Sequence, residues 1–189
     1  VDIEHDRREE VLDYVYENKP RGLGPGGRLI DKVFLEAIGW RGIRQRKLHL
    51  QELIGYGLQR LKAAGRSTHM LDIAAGHGRY VLDAIEAAAV RPDSARLQDY
   101  SPINVDAGRN SIATRGLSDF VSFRQQDAFD GEGLAAITPA PDLAIVSGLY
   151  ELFSDNAMIA ASLNGIARAM RPGGLLVYTN QPWHPQLEM

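Results

Sequence analysis

The chain has 189 residues, 44% hydrophobic and 24% charged, and its 21 Lys and Arg against 24 Asp and Glu give a formal net charge of −3. That is enough for one globular domain with its own core. No run approaches the roughly 18 apolar residues of a membrane span, and the acidic balance disfavours a nucleic-acid substrate. The absence of cysteine removes disulfides, thiolate nucleophiles and Cys-built zinc sites, and fits a cytoplasmic protein. The opening VDIEHDRREE is charged and has no apolar run of the kind a signal peptide needs. A start at Val1 instead of Met is expected where something upstream has been removed or belongs to a longer protein.

Residues 1–66 read as helices with one break. Glu4 to Asn18 carries Val11, Leu12 and Val15 at helical spacing. The stretch NKPRGLGPGG, residues 18–27, is expected not to hold a helix, because proline lacks a donor and glycine is too free. A helical pattern resumes over Leu29 to Trp40. From Arg44, the residues Leu50, Leu53, Ile54, Gly57, Leu58 and Leu61 form an amphipathic stripe, and Gly57 on it points to close approach of a neighbour.

From about residue 68 short apolar runs alternate with helical patterns. The predicted order is strand His69–Asp72, helix Arg79–Ala89, strand Ala95–Asp99, helix Pro102–Arg115, strand Phe120–Arg124, a short helical stretch near Gly133–Ile137, strand Asp142–Ser147, helix Asp155–Met170 and strand Leu175–Thr179. Such alternation implies right-handed crossovers and a mostly parallel α/β sheet. Ser101 before Pro102 marks a helix start, and Gly116 is placed to close the same helix.

In an open parallel sheet, ligands bind beyond the carboxyl ends of the strands. The loops there are Leu71–Tyr80, Asp99, Asp127-Ala128-Phe129 and Ser147-Gly148-Leu149-Tyr150-Glu151. Gly76 and Gly78, with the small Ala74, let backbone bend and a ligand approach. Residue 81 is Val, so the third glycine of a dinucleotide fingerprint is missing and a dehydrogenase is a distant alternative. Asp72 suits a positively charged ligand group such as an amine. Asp99 can accept both hydroxyls of a ribose. Asp127 can accept from an exocyclic amine, with an aromatic neighbour along a base. Ser147 and Gly148 follow the fourth strand, where a reacting group would sit.

These runs together, LDIAAGHGRY, LQDYS, QQDAFD, PDLAIVSGLYELF and RPGG, resemble class I S-adenosylmethionine-dependent methyltransferases in order and spacing over residues 68–182. More narrowly, SGLYELFSDN with TNQPWHPQLE looks like an uncharacterised bacterial family of methyltransferases, a likeness that extends into IGWRGIRQRK. Some members are joined to an α/β-hydrolase domain, which implies a fused or partner hydrolase. The resemblance implies a Rossmann-like doubly wound domain over residues 67–189 behind a helical cap of residues 1–66. It also implies that the last strands of the usual seven-stranded sheet are absent from this chain.

By the same resemblance, Asp72, Ala74, Gly76 and Gly78 cradle the methionine part of the cofactor. Asp99 binds its ribose, Tyr100 lies beside the adenine, and Asp127, Ala128 and Phe129 frame the adenine ring. Ser147 and Gly148 flank the sulfonium and methyl. Ala74 stands where the family has its first loop glycine. Methyl transfer needs mainly in-line placement, and a base only for a protonated nucleophile; the candidates are His184, Tyr150 and Glu151. No metal-ligand set stands out.

Each residue also has a structural reading. Asp72, Asp99 and Asp127 can serve as caps or turn acids, Glu151 as a local ion-pair partner, and His184 as a packed residue between prolines. The cluster Arg41, Arg44, Arg46, Lys47 and His49 can meet an acidic substrate or form a solvated helix face. The expected function is methyl transfer to a small-molecule or lipid-like acceptor, with the N-terminal helices as a lid hinged at residues 22–27. The alternative is a catalytically silent S-adenosylmethionine-binding or assembly module. The sequence names no acceptor and no oligomeric state.

Overall fold

The computed structural model describes residues 2–180. It contains helices α1 (Asp2–Glu17), α2 (Gly24–Leu35) and α3 (Ile38–Ala63), then β1 (His69–Ile73), α4 (Arg79–Ala87), β2 (Ser94–Asp99), α5 (Pro102–Thr114), β3 (Val121–Gln125), α6 (Gly131–Ala135), β4 (Leu143–Val146), α7 (Asn156–Ala169) and β5 (Leu175–Tyr178). The described residues divide into two compact units, and the division falls inside α3 between His49 and Leu50.

The first unit corrects the expected break. Helix α2 begins at Gly24 and includes Pro25, Gly26 and Gly27. Pro25 lies in the first turn, where a missing N–H costs nothing and a fixed φ favours the helix. The pattern expected to run through Leu29–Trp40 is interrupted at Glu36 and Ala37, and α3 then continues unbroken to Ala63. Tyr14 Oη and the Arg21 backbone N–H both donate to Asp31 Oδ2, at 2.7 and 2.8 Å. These bonds hold Asp31 ionised below the usual carboxylate range, the Tyr14 bond contributing most. The basic cluster is used internally in part: Arg44 Nη1 donates to the Leu35 carbonyl at 2.7 Å, and the Lys47 ammonium lies 5.1 Å from the centre of the Tyr16 ring.

In the second unit the strands lie in the order β3-β2-β1-β4-β5, all parallel. Alternate residues of each strand face opposite sides. Met70, Ala95, Leu97, Val121, Phe123, Leu143 and Ile145 pack with side chains of α3, α4 and α5. Leu71, Ile73, Ala144 and Val146 face α6 and α7, with Leu134 and Ile166 between them. The α3 stripe does what its spacing predicts, burying Leu50, Ile54, Gly57, Leu58 and Leu61, while Leu53 at its margin is 48% exposed. A Cβ on Gly57 would stand 3.3 Å from Leu143 Cδ1, so the close neighbour is a side chain of the central sheet.

Chain order runs outward from β1 to β2 and β3, then returns to β4 on the other side of β1. That reversal opens a crevice at the carboxyl ends of the strands. Among the described residues, no helix is long and apolar enough to cross a membrane, and no three His, Asp or Glu side chains are grouped to hold a metal.

Candidate active site

The loop after β1 turns through three left-handed residues, Ala74 (φ 55°), Gly76 (φ 57°) and Gly78 (φ 73°). A Cβ on Gly78 would lie 2.6 Å from the Leu97 side chain. The loop is tied to β2: the Ala75 N–H donates to the Gln98 carbonyl and the Gly76 N–H to Asp99 Oδ2, both at 2.9 Å. Three positive φ values in five residues curl the loop tightly and leave its backbone N–H groups able to approach a ligand closely.

Asp72 is the penultimate residue of β1 and is 1% exposed. Its Oδ1 accepts from the Tyr80 hydroxyl on α4. Its Oδ2 has no hydrogen-bond partner among the described residues. Burial pushes the carboxyl up to about 8, the nearby Asp99 charge adds to the rise, and the Tyr80 bond opposes it. A buried acceptor with an unmet oxygen is costly alone and satisfied by a cation.

Asp99, 5% exposed, ends β2 and is held by three donors. Oδ2 takes the Gly76 N–H, and Oδ1 takes the Ser101 N–H at 2.9 Å and Asn104 Nδ2 at 3.0 Å. A carboxylate has about four acceptor positions, so one remains for a ligand hydroxyl. Ser101 occupies the predicted cap position of α5 but makes no side-chain cap bond; its backbone N–H serves Asp99 instead. Asn104 is fully buried, and its Oδ1 is also without a partner.

The remaining predicted residues follow the neighbouring strands. Tyr100 is 69% exposed, and its carbonyl accepts from Gln125 Nε2 at 3.0 Å. Asp127 is exposed after β3 and accepts from the Phe129 N–H at 2.9 Å in a tight turn. Ala128 is buried, and Phe129 meets Phe153 edge-on with ring centres 4.7 Å apart. Ser147 and Gly148 are half-buried beyond β4; Gly148 has φ 70° and donates its N–H to Thr179 Oγ1 at 2.9 Å. Tyr150 is buried, with its hydroxyl 3.0 Å from Ser162 Oγ of α7, and burial raises its phenol above the ordinary value. Glu151 lies half-buried in the same single turn, Tyr150–Leu152. His184 lies outside the described residues.

Strand register sets the ends side by side: Ile73 pairs with Gln98 on one side and Val146 on the other, and Asp99 pairs with Gln125. Two residues were not singled out from sequence. Tyr80 is the second residue of α4, and Asn104 is in the first turn of α5; each reaches back to an acid in the last two residues of the preceding strand. The signal available for both was position, since a polar side chain in the first turn of a crossover helix faces the strand end.

Residues 6–189 match the family described as "Putative methyltransferase". The chain is 57% identical over 178 residues to the "Uncharacterized protein YnbC" of Escherichia coli strain K12; the match takes in 94% of this chain and 30% of that protein's length. Among solved structures, a "possible exported protein" from Bordetella parapertussis superposes with TM-score 0.70 at 21% identity, over 90% of this chain and 53% of that one. An O-methyltransferase family protein from Burkholderia thailandensis superposes with TM-score 0.56 at 18% identity, over 93% and 52%. These two likenesses are of fold, and the chain spans about half the length of each. With a family match over nearly its whole length and a glycine loop and strand-end acids where the fold places a ligand, the chain belongs to this methyltransferase family and has the class I methyltransferase fold.

Proposed function

We propose that the chain binds S-adenosylmethionine at the carboxyl ends of β1, β2, β3 and β4 and supports methyl transfer to a small-molecule or lipid-like acceptor. The observation that carries this reading is Asp72, buried with an unmet oxygen beside a loop of three left-handed residues. That arrangement fits an amino-acid ammonium and offers a pyrophosphate no counter-charge. Asp72, Ala74, Gly76 and Gly78 hold the methionine part; Asp99 contributes its one remaining acceptor position to a ribose hydroxyl; Tyr100, Asp127, Ala128 and Phe129 border the adenine; and Ser147 and Gly148 border the methyl. When bound, the cofactor supplies a methyl on a sulfonium, which leaves readily. The chain's own work is to orient the acceptor and exclude water. In this reading the protein acts in the cytoplasm.

A second reading, binding without turnover, draws support from Tyr150. Its hydroxyl is committed to Ser162, which leaves Glu151 and His184 as candidate bases. Titration calorimetry on the intact protein separates the readings. S-adenosylmethionine is expected to bind at micromolar concentration and NAD not at all. Asp99→Asn is expected to weaken binding at least tenfold by releasing the Gly76 loop. Tight NAD binding without S-adenosylmethionine binding defeats both readings. Methylated product from an acceptor screen favours the first reading over the second.

A further inference from the structure

Among the described residues Asp72 makes no ion pair through either oxygen: Oδ1 takes the Tyr80 hydroxyl and Oδ2 takes no donor. The groups around it are few. From β2 comes Asp99, a like charge, from α4 comes Tyr80, and the Ile73 backbone beside it favours the ionised form, the weakest of these influences. Its register partners on the two flanking strands are Leu97 and Ile145, both apolar. A carboxyl in such a setting keeps its proton until a cation arrives, because burial and a neighbouring carboxylate both penalise the charged form.

We propose that Tyr80 and Asp72 form a proton-exchanging anchor, in which Asp72 releases its proton as a ligand ammonium arrives and Tyr80 positions the resulting carboxylate. This rests on the cofactor reading above. The balance is simple: Asp72 carboxylic acid plus ligand –NH3⁺ becomes carboxylate against –NH3⁺, and the O–H proton passes to a buffer base. No covalent bond of the ligand changes. Tyr80 acts through Asp72. Its hydroxyl donates to Oδ1, which favours the ionised form and fixes the carboxylate so that Oδ2 faces the incoming ammonium.

The sign of the pH dependence follows. Below about 8, where Asp72 is protonated in the free protein, each unit of rising pH favours binding about tenfold. Near 8 an α-amino group itself begins to lose its proton, and the affinity levels off. Titrations of the intact protein with S-adenosylmethionine in two buffers of different ionisation enthalpy count the protons. At pH 7, release of close to one proton per cofactor is expected. S-adenosylhomocysteine carries the same ammonium and should release the same number. 5′-Methylthioadenosine lacks the amino-acid part and should bind with no proton exchange.

Tyr80→Phe keeps the ring and removes the donor. It is expected to move the midpoint of affinity against pH upward and to weaken binding most at low pH. A merely structural Tyr80 would lower affinity equally at every pH. At whatever affinity it retains, Asp72→Asn should release no proton and show no rise of affinity with pH below about 8. If wild-type protein binds S-adenosylmethionine with no proton released, the anchor is overturned while the cofactor reading stands. If S-adenosylmethionine fails to bind anywhere from pH 6 to 8.5, both fall together.

Discussion

Ala74 occupies a backbone conformation that glycine adopts freely and alanine does not. Its φ of 55° sets its Cβ against the adjacent carbonyl, at a cost of about 1–2 kcal/mol. Glycine would remove that strain and lose about 0.5–1 kcal/mol through its looser unfolded chain. Ala74→Gly is therefore expected to stabilise the fold by up to about 1 kcal/mol, read as a raised urea midpoint at unchanged m. A lowered midpoint would mean that the Ala74 methyl makes packing contacts worth more than the strain. The glycine preference of this position was legible in the sequence only through family resemblance, since an alanine does not announce a positive φ. Asp72 and Asp99 were legible from their place at strand ends. Their partners were marked only by position in the first turn of the following helix, and the eight-residue return from Tyr80 to Asp72 exists only once α4 folds back over β1.

Helices α6 and α7 meet through backbone. A Cβ on Gly165 would lie 2.6 Å from the Gly131 carbonyl oxygen and 2.8 Å from its Cα, and one on Gly131 would lie 2.8 Å from the Ala161 carbonyl oxygen. Backbone cannot rotate aside as a flexible side chain can, so Gly165→Ala must separate the two helices and disturb the Leu134 and Ile166 packing beneath them. The expected cost is about 1–3 kcal/mol, seen as a lower urea midpoint; an unchanged midpoint would show that α6 can shift freely. The strands and crossover helices were readable because short apolar runs alternate with period-3.6 patterns after residue 68. The N-terminal helices were read less well. A Gly-Pro-Gly-Gly run carries the composition of a loop, yet at Gly24–Gly27 it starts α2, because a first turn tolerates proline. Nor does an apolar pattern spanning Leu29–Trp40 reveal a break at Glu36 and Ala37, where no glycine or proline stands.

Across the whole molecule, pH should act in two opposed ways. Asp93, held by the Thr68 backbone N–H at 2.8 Å, has its carboxyl lowered chiefly by that bond, as Asp31 has by Tyr14. Their contributions are present above the ordinary carboxylate range and lost as pH falls through their depressed values. Asp72 behaves inversely. Its carboxyl sits at about 8 in the folded chain and near 4 in the unfolded one. Between those values the native state holds the extra proton, so stability declines as pH rises, by up to about 1.4 kcal/mol per unit for a single group, and levels off above 8. The ligand-free protein is thus expected to be most stable near pH 5. Asp72→Asn still offers Tyr80 an acceptor and carries no ionisable group, so it should flatten the decline and exceed wild type at pH 7 by on the order of 2–4 kcal/mol. Urea unfolding from pH 5 to 8.5 on both proteins measures this. Parallel curves would show that Asp72 ionises in the free protein at no cost, and would remove the reason for an unmet oxygen to await a cation. A stabilised Asp72→Asn that no longer binds cofactor would show binding capacity held at the expense of stability, in one buried carboxyl.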